Sequence, residues 1–191
     1  MVMSVKIWPV MTGIEMRSSK SQKWNTTMEK SGSGRMRSNT NQLLPLWTIQ
    51  VKYWRLTDAE YRTIMGFVAL LKGAHEPFFW LDPEDNHETG IQLPSVGLGT
   101  YQCVMKLGNY VEAVDYVDQL KVYVDGVEQS PNDYTVVGGA VVFDEAPASG
   151  SVVTADYRYY WHVYIPADGI SIDHVFTNFL QTGTIKFESW R

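Results

Sequence analysis

The sequence predicts a mainly β protein, a β-sandwich or barrel-like domain with one packed α-helix, interrupted by a small antiparallel β insert. Three patterns predict this class. Apolar residues alternate along several short segments, one stretch carries the spacing of a helix, and Asp-Gly and Gly-Gly pairs separate strand-like segments in the second half. A chain of 191 residues with 45% hydrophobic content has enough apolar surface for a buried core.

The first element is a polar segment, residues 18–41, which is rich in Ser, Thr and Asn and contains Gly32 and Gly34. This composition predicts strands or arms joined by mobile turns. In the segment that follows, residues 46–54, alternate positions are apolar. That alternation predicts a strand with one buried face.

One substantial helix is predicted near residues 58–72. Thr57 and Glu60 have the capping-box spacing, in which a hydroxyl and a carboxylate satisfy free backbone donors of the first turn. Apolar residues then recur every three or four positions and form one stripe, namely Tyr61, Ile64, Met65, Val68 and Leu71. Gly73 stands where a left-handed cap would end the helix.

Glycine and proline recur over residues 90–99, which predicts a crossing into a second structural unit. Within that unit, Asp125-Gly126 and Gly138-Gly139 each separate two alternating segments. Such pairs adopt the positive φ angles of tight hairpin turns. We therefore expect a meander of antiparallel hairpins.

An unusually long strand is predicted over residues 152–165, and a last strand over residues 184–190. Because the last strands return to the first unit, we expect residues 1–90 plus 156–191 to form one domain. Residues 91–155 would then form a peripheral β insert.

The net charge of −5 hides an asymmetry. Residues 1–40 carry seven Lys and Arg against two Glu, a local charge of +5, which leaves −10 for the rest. Such a split can guide a basic segment onto an acidic surface of a neighbouring copy or onto phosphate, although a solvated loop explains it equally well. The acidic total argues against a nucleic-acid binder that relies on a general basic surface.

The single cysteine, Cys103, excludes an intrachain disulfide scaffold and a four-thiolate zinc site. We expect it to be a buried small hydrophobe. No stretch is apolar for long enough to form a signal-peptide core or a membrane span. The expectation is a protein folded in a reducing cytoplasm, with no membrane insertion.

The best metal or catalytic candidate is an acidic turn in which Asp82, Glu84, Asp85 and His87 crowd together. The spacing fails for a calcium loop, since His87 holds the place of the turning glycine. No second His follows one helical turn later, as a zinc protease would require. These four residues are therefore weak metal candidates only, and we predict no catalytic residue, no cofactor and no enzyme activity.

Aromatic residues occupy many strand positions: Trp24, Trp47, Trp54, Trp80, Tyr157, Tyr159, Tyr160, Trp161, Tyr164 and Trp190. Where both faces of a strand are aromatic, as over residues 157–164, one small core cannot bury every ring, and some are expected to face another chain or a ligand. The candidate inter-subunit contacts are Trp24, Arg35, Arg37, Tyr160 and Tyr164.

Two other function classes stay open. A carbohydrate-binding β module would present Tyr160, His162 and Tyr164 as a flat stacking face. A metal-dependent hydrolase would use His87 and the acidic turn.

The features stand in this order: Pro9, Trp24-Asn25-Thr26, Ser31-Gly32-Ser33-Gly34-Arg35-Met36-Arg37, the strand 47–53, Leu56-Thr57 with the helix ending at Gly73, Phe79, and Asp82-Pro83-Glu84-Asp85. The second half adds residues 127–134, 139–143, 147–150 and 153–157, and a last strand ending in Trp190-Arg191. This order resembles the distal tail proteins of long-tailed bacteriophages and gene transfer agents, and the related minor tail proteins of the tail tip, over nearly the whole chain.

One departure concerns the basic arm. The family tends to carry a run of Gly, aromatic, Glu, Gln and Arg after the Ser-Gly pair. Here Arg35-Met36-Arg37 stands without the acid. Any ring contact that the acid makes in the family is therefore not carried over to this chain.

The resemblance implies a structural virion protein that forms a six-fold baseplate ring, with the first domain as its ring-forming belt domain. The implied partners are other copies of the chain, the tail tube protein, the hub and tail-tip proteins, and the tape-measure protein, with DNA only in transit through the lumen. The insert would face the fibre or receptor-binding proteins used in host attachment. The implied location is the virion tail, after assembly in the host cytoplasm.

Overall fold

The computed structural model describes residues 5–11, 15–166, 169–176 and 179–191. The chain is mostly β, with 52% of the described residues in strands and 8% in helix, which confirms the predicted mainly β class. The chain divides into two compact units. The first unit consists of residues 1–8 and 78–162, and the second consists of residues 9–77 and 163–191.

The elements follow one another in this order: β1 (Glu15–Lys23), β2 (Thr26–Lys30), β3 (Met36–Thr40), β4 (Leu46–Leu56), α1 (Asp58–Leu71), β5 (Phe78–Trp80), β6 (His87–Gln92), β7 (Ser95–Gly97), β8 (Thr100–Gln102), β9 (Val104–Leu107), β10 (Tyr110–Ala113), β11 (Val117–Val124), β12 (Val127–Glu128), β13 (Tyr134–Val137), β14 (Ala140–Phe143), β15 (Val153–Tyr159), β16 (Trp161–Tyr164), β17 (Ile172–Phe176), β18 (Phe179–Thr182) and β19 (Ile185–Ser189).

The second unit is built around β4, which pairs with β1, β18 and β19. The predicted alternation of β4 is confirmed, because Trp47, Ile49, Val51 and Tyr53 are all buried. β18 and β19 both pair with β4, and the hydroxyl of Thr182, the last residue of β18, accepts the backbone N–H of Tyr53 at 2.9 Å. A buried side-chain oxygen thus satisfies a donor that the interrupted ladder would leave unpaired.

The helix α1 begins where the capping box predicted. The Thr57 side chain accepts the N–H of Glu60, and the Glu60 carboxylate accepts the N–H of Thr57 at 2.8 Å. The stripe is narrower than the sequence indicates, since only Ile64 and Leu71 are buried and Met65 is exposed. Lys72, one residue before the predicted glycine, is the left-handed cap with φ 54°.

The first unit contains two four-stranded sheets, β12-β11-β15-β6 and β13-β14-β8-β7, and the hairpin of β9 and β10. The predicted turns are confirmed: Asp125 and Gly126 have φ 50° and 83°, and Gly138 and Gly139 have φ 55° and 72°. The interior is formed mainly by Leu93, Cys103, Val104, Met105, Val122, Val141, Val153, Ala155, Tyr157 and Tyr159. Burial raises the pKa of the Cys103 thiol to about 12, which fits its predicted place in the core.

The long strand predicted over residues 152–165 is instead two strands, β15 and β16, interrupted at Tyr160. Its burial parity is as predicted up to Tyr159 and again from Trp161. At the break, the N–H of Tyr160 donates to the carbonyl of Tyr116 at 3.1 Å. This bond continues the register of β11 with β15, in which Val117 stands opposite Tyr159, and beyond it β16 joins a different sheet.

The predicted domain boundaries can be compared with the observed units. β6 crosses residue 90 and β15 crosses residue 155, and these two strands pair with each other. The compact unit that contains the hairpins therefore extends to residues 78–162. The division into a belt domain and an insert stays a prediction.

The helix α1 has 14 residues. Among the described residues, no helix has both the length and the apolar character needed to cross a membrane.

Candidate functional site

The most unusual surface of the chain is a two-stranded ribbon, defined here as residues 26–40, in which β2 and β3 pair in an antiparallel register. All ten strand residues of the ribbon are exposed, and so is every residue from 21 to 41. A strand pair in a folded protein normally buries one of its faces. The ribbon has no face buried against any residue that the structure describes.

The turn of the ribbon is held by one serine. The N–H of Ser31 donates to the Arg35 carbonyl at 2.9 Å, and the N–H of Arg35 donates to the Ser31 hydroxyl at 3.2 Å. Gly34 adopts φ 82°, which its missing side chain allows, and donates to the Ser31 carbonyl at 2.8 Å. These bonds place Arg35 at the tip and Arg37 one residue inside β3.

The root of the ribbon is also fixed by hydrogen bonds. The N–H of Asn25 donates to the side-chain carbonyl of Gln42 at 2.8 Å, and the N–H of Gln42 donates to the Thr40 hydroxyl at 3.3 Å. Trp24, one of the predicted contact residues, lies at this root and is 42% exposed. The ribbon is therefore a defined local structure that projects from β1 and β4.

Large apolar side chains are exposed on and beside the ribbon. Met28 is 64% exposed and Met36 is 57% exposed, and Leu43 and Leu44 next to the root are exposed as well. Single exposed apolar residues are ordinary, but several within one short projection are typical of an interaction site.

The two units differ in net charge. The first unit contains four Lys and Arg against thirteen Asp and Glu, a net charge of −9. The second unit contains twelve Lys and Arg against eight Asp and Glu, a net charge of +4. The ribbon lies in the basic unit and has three basic side chains and one acidic one. A copy of this chain thus offers surfaces of opposite charge.

The side chains of the acidic turn take part in hydrogen bonds and strand pairing within the first unit. Asp82 is buried, and its carboxylate accepts the N–H of Glu84 at 3.0 Å. Asp85 accepts the Tyr159 hydroxyl at 3.1 Å, and His87 stands in β6 opposite Arg158. Within the described part of the chain, no three His, Cys, Asp or Glu side chains are grouped to hold a metal ion.

Tyr160, another predicted contact, is only 5% exposed. Its hydroxyl donates to Asp118 at 2.8 Å, and Arg158 donates to the same carboxylate through Nε at 2.7 Å and through Nη2 at 2.5 Å. Partial burial raises the pKa of the Asp118 carboxyl, but the bonds from Arg158 and Tyr160 outweigh it and hold that pKa below its usual range. Burial and the bond to Asp118 raise the pKa of Tyr160 to about 12.

The flat stacking face of a sugar-binding module is not formed by the residues proposed for it. Tyr160 is buried, and the ring of His162 is stacked on Phe79 at 4.6 Å between ring centroids. Tyr164 lies in the second unit, where its hydroxyl donates to Glu188 at 2.8 Å and its ring meets the edge of Trp190 at 5.7 Å.

Sequence reasoning missed one polar cluster of the first unit. His162 Nδ1 lies 2.7 Å from Asp115 Oδ2, and Arg158 forms a bidentate pair with Asp118 of the same unit. The partners are 47 and 40 residues apart in sequence, so no local spacing could reveal them. The only signal was the polar parity of residues 154–164, which marked Arg158 and His162 as facing away from the core.

Comparison with known proteins gives no further guide. No protein-family model matches the chain, and no curated protein matches it significantly.

Proposed function

We propose that this chain is a structural subunit of a phage tail, one of the identical copies in a distal ring that joins the tail tube to the tail-tip hub. The observation that carries the proposal is the ribbon, which is ordered by its own hydrogen bonds and yet exposed on both faces. An isolated two-stranded hairpin is marginally stable in water, so a ribbon of this kind gains most of its stability in an assembly.

Charge supports association between copies. The ribbon lies in a unit of net charge +4, and the other unit has a net charge of −9. When two different surfaces of one chain fit each other, they associate head to tail, and such contacts close into rings when the rotation between copies permits. Opposite potentials steer this encounter and fix its register.

The order of motifs along the sequence, which resembles the distal tail proteins, selects a tail ring among head-to-tail assemblies. On this proposal the ring has six copies, and the tape-measure protein and DNA pass through its lumen. The tail tube and the hub proteins bind above and below it, the fibre or receptor-binding proteins attach at its periphery, and the ring resides in the virion tail.

Charge reversal on the ribbon tests the proposal. We expect Arg35→Glu combined with Arg37→Glu to leave a folded monomer that no longer forms rings in negative-stain images, because the cation at the tip and the cation in β3 are both replaced by acids. Arg62→Glu combined with Lys121→Glu changes the net charge by the same amount at exposed positions outside the ribbon and should preserve the rings. Rings that persist in the ribbon variant would contradict the proposal.

A further inference from the structure

The two faces of the ribbon differ in chemistry. The register places Met28 opposite Ser38 and Lys30 opposite Met36. Since paired residues point to the same side and alternate along each strand, one face carries Thr26, Met28, Lys30, Met36, Ser38 and Thr40. We call it the methionine face. The opposite face, which we call the charged face, carries Thr27, Glu29, Arg37 and Asn39.

The methionine face has the composition of a protein contact. Met28 and Met36 are diagonal neighbours across the two strands, and both are more than half exposed. Methionine is enriched at protein interfaces because its unbranched side chain adapts to the surface opposite. Thr26, Ser38 and Thr40 on the same face are small, and Lys30 stands opposite Met36.

The charged face is balanced within the ribbon. Glu29 stands directly opposite Arg37, a cross-strand pair of opposite charges that favours the ribbon itself. This face therefore needs no partner to neutralise it. Lys30 on the methionine face stands opposite Met36, and Arg35 at the tip is bonded through its backbone to Ser31, so neither faces a carboxylate across the ribbon.

We infer that the ribbon docks on a second copy of this chain through its methionine face, with Lys30 and Arg35 meeting carboxylates of the acidic unit and the charged face left in solvent. The inference rests on the proposed function and adds to it which face is buried. The occupant is a second copy because that chain supplies a unit of net charge −9 to match the cations beside the two methionines.

This orientation separates the roles of the two arginines. Arg35 would meet the partner chain, whereas Arg37 would pair with Glu29 inside the ribbon. Reversing Arg37 alone places two acids opposite each other, which destabilises the strand pair. The exchange of both residues, Glu29→Lys with Arg37→Glu, restores opposite charges and is expected to restore rings.

Cysteine labelling tests which face is covered. Met28→Cys and Thr27→Cys place a thiol at neighbouring positions on opposite faces. Cys103 is buried and its thiol pKa is raised to about 12, so a maleimide reagent at neutral pH reports on the introduced thiol alone. Both variants are labelled at low protein concentration, where copies are separate, and at high concentration, where they assemble.

We expect the Met28→Cys thiol to react about tenfold more slowly in the assembled sample, because only free copies expose it, and the Thr27→Cys thiol to react at an unchanged rate. Rings in which both thiols react equally, or in which the Thr27→Cys thiol is the protected one, would overturn the inference while leaving the proposed function intact. A chain that remains monomeric with both thiols open would overturn both.

One further outcome identifies another occupant. If duplex DNA added to the dilute protein protects either thiol and higher protein concentration does not, the occupant is a polyanion and the inference fails.

Substituting serine on one face at a time gives an independent check. Met28→Ser with Met36→Ser should abolish rings, and Thr27→Ser with Asn39→Ser should preserve them.

Discussion

Two hairpins of the same kind, one in each unit, differ in what they bury. The hairpin of β13 and β14 places Tyr134, Val141 and Phe143 in the interior of the first unit, whereas the ribbon of β2 and β3 buries nothing. Both are antiparallel pairs closed by turns that contain a glycine with positive φ. Hairpin geometry alone therefore does not decide whether a strand pair belongs to a core; the side chains on its faces do.

The difference assigns distinct roles to the two hairpins. Substitutions that remove the buried side chains of the β13–β14 hairpin lower the free energy of unfolding, because less apolar area is then buried on folding. Substitutions in the ribbon weaken assembly instead, because its apolar side chains already face water in the single chain. The predictions below separate these two roles by pairing a change in one hairpin with a matched change in the other.

The largest effect is expected at the turn glycines. A Cβ on Gly139 would lie 1.8 Å from the backbone oxygen of Val114, and its φ is 72°. Gly139→Ala should therefore destabilise the first unit by about 4 kcal/mol or more in urea unfolding. Gly34 in the ribbon also has positive φ but has nothing within 4 Å, so Gly34→Ala should cost about 1 kcal/mol, confined to the ribbon. Equal losses for the two variants would contradict the comparison.

The next largest effect concerns one apolar side chain on each hairpin. Phe143→Ala removes a buried ring and should lower the free energy of unfolding by about 3 kcal/mol or more. Met36→Ala removes an exposed side chain and should change the stability of the monomer by less than about 0.5 kcal/mol, measured in the same way. A large loss of monomer stability from Met36→Ala would mean that the ribbon is covered within its own chain.

These two predictions show what the sequence could and could not indicate. The turns at Asp125-Gly126 and Gly138-Gly139 were predictable, because positive φ is a local requirement that few residues meet. The polar composition of residues 18–41 likewise predicted an arm. The pairing register that divides the ribbon into two faces was not predicted.

Long-range partners were beyond sequence reasoning. At Tyr160 the backbone N–H donates to the carbonyl of Tyr116 and the side chain donates to the carboxylate of Asp118, both more than forty positions away. For the same reason Tyr160 was predicted as a contact between subunits, although it is buried within the first unit. Tyr160 lies between β15 and β16, and its hydroxyl bonds to Asp118.

A smaller effect is expected from the Asp118 carboxylate, which is part of the first unit's polar cluster. Its pKa is lower in the folded chain than the value of about 3.9 expected when unfolded, so its contribution is present above that value and is lost as pH falls through the folded pKa. Stability of the natural chain should decline below about pH 4, and Asp118→Asn should flatten that decline. Urea midpoints across pH measure it.

The matched change for this prediction lies in the ribbon. Glu29→Gln should leave the urea midpoint at neutral pH unchanged, because Glu29 is exposed and its strand has no core to lose, whereas Asp118→Asn should lower that midpoint. A midpoint lowered as much by Glu29→Gln as by Asp118→Asn would show that the ribbon contributes to the stability of the single chain.

The smallest effect on the monomer is expected from Arg37→Glu. The variant places two acidic side chains opposite each other in the ribbon. It should weaken the strand pair by about 0.2 to 1 kcal/mol without changing the free energy of global unfolding. Hydrogen exchange of the backbone amides of β2 and β3 measures the loss, with Arg62→Glu as a control on the helix. Exchange that is equally fast in both variants would contradict the cross-strand pair.

The central claim is that the chain assembles with its own copies through the ribbon, and light scattering across protein concentration and salt tests it most directly. The account predicts a mass that rises with concentration to that of a closed ring of six copies and falls as salt screens the opposite charges. A mass that stays that of one chain at every concentration and salt would contradict it.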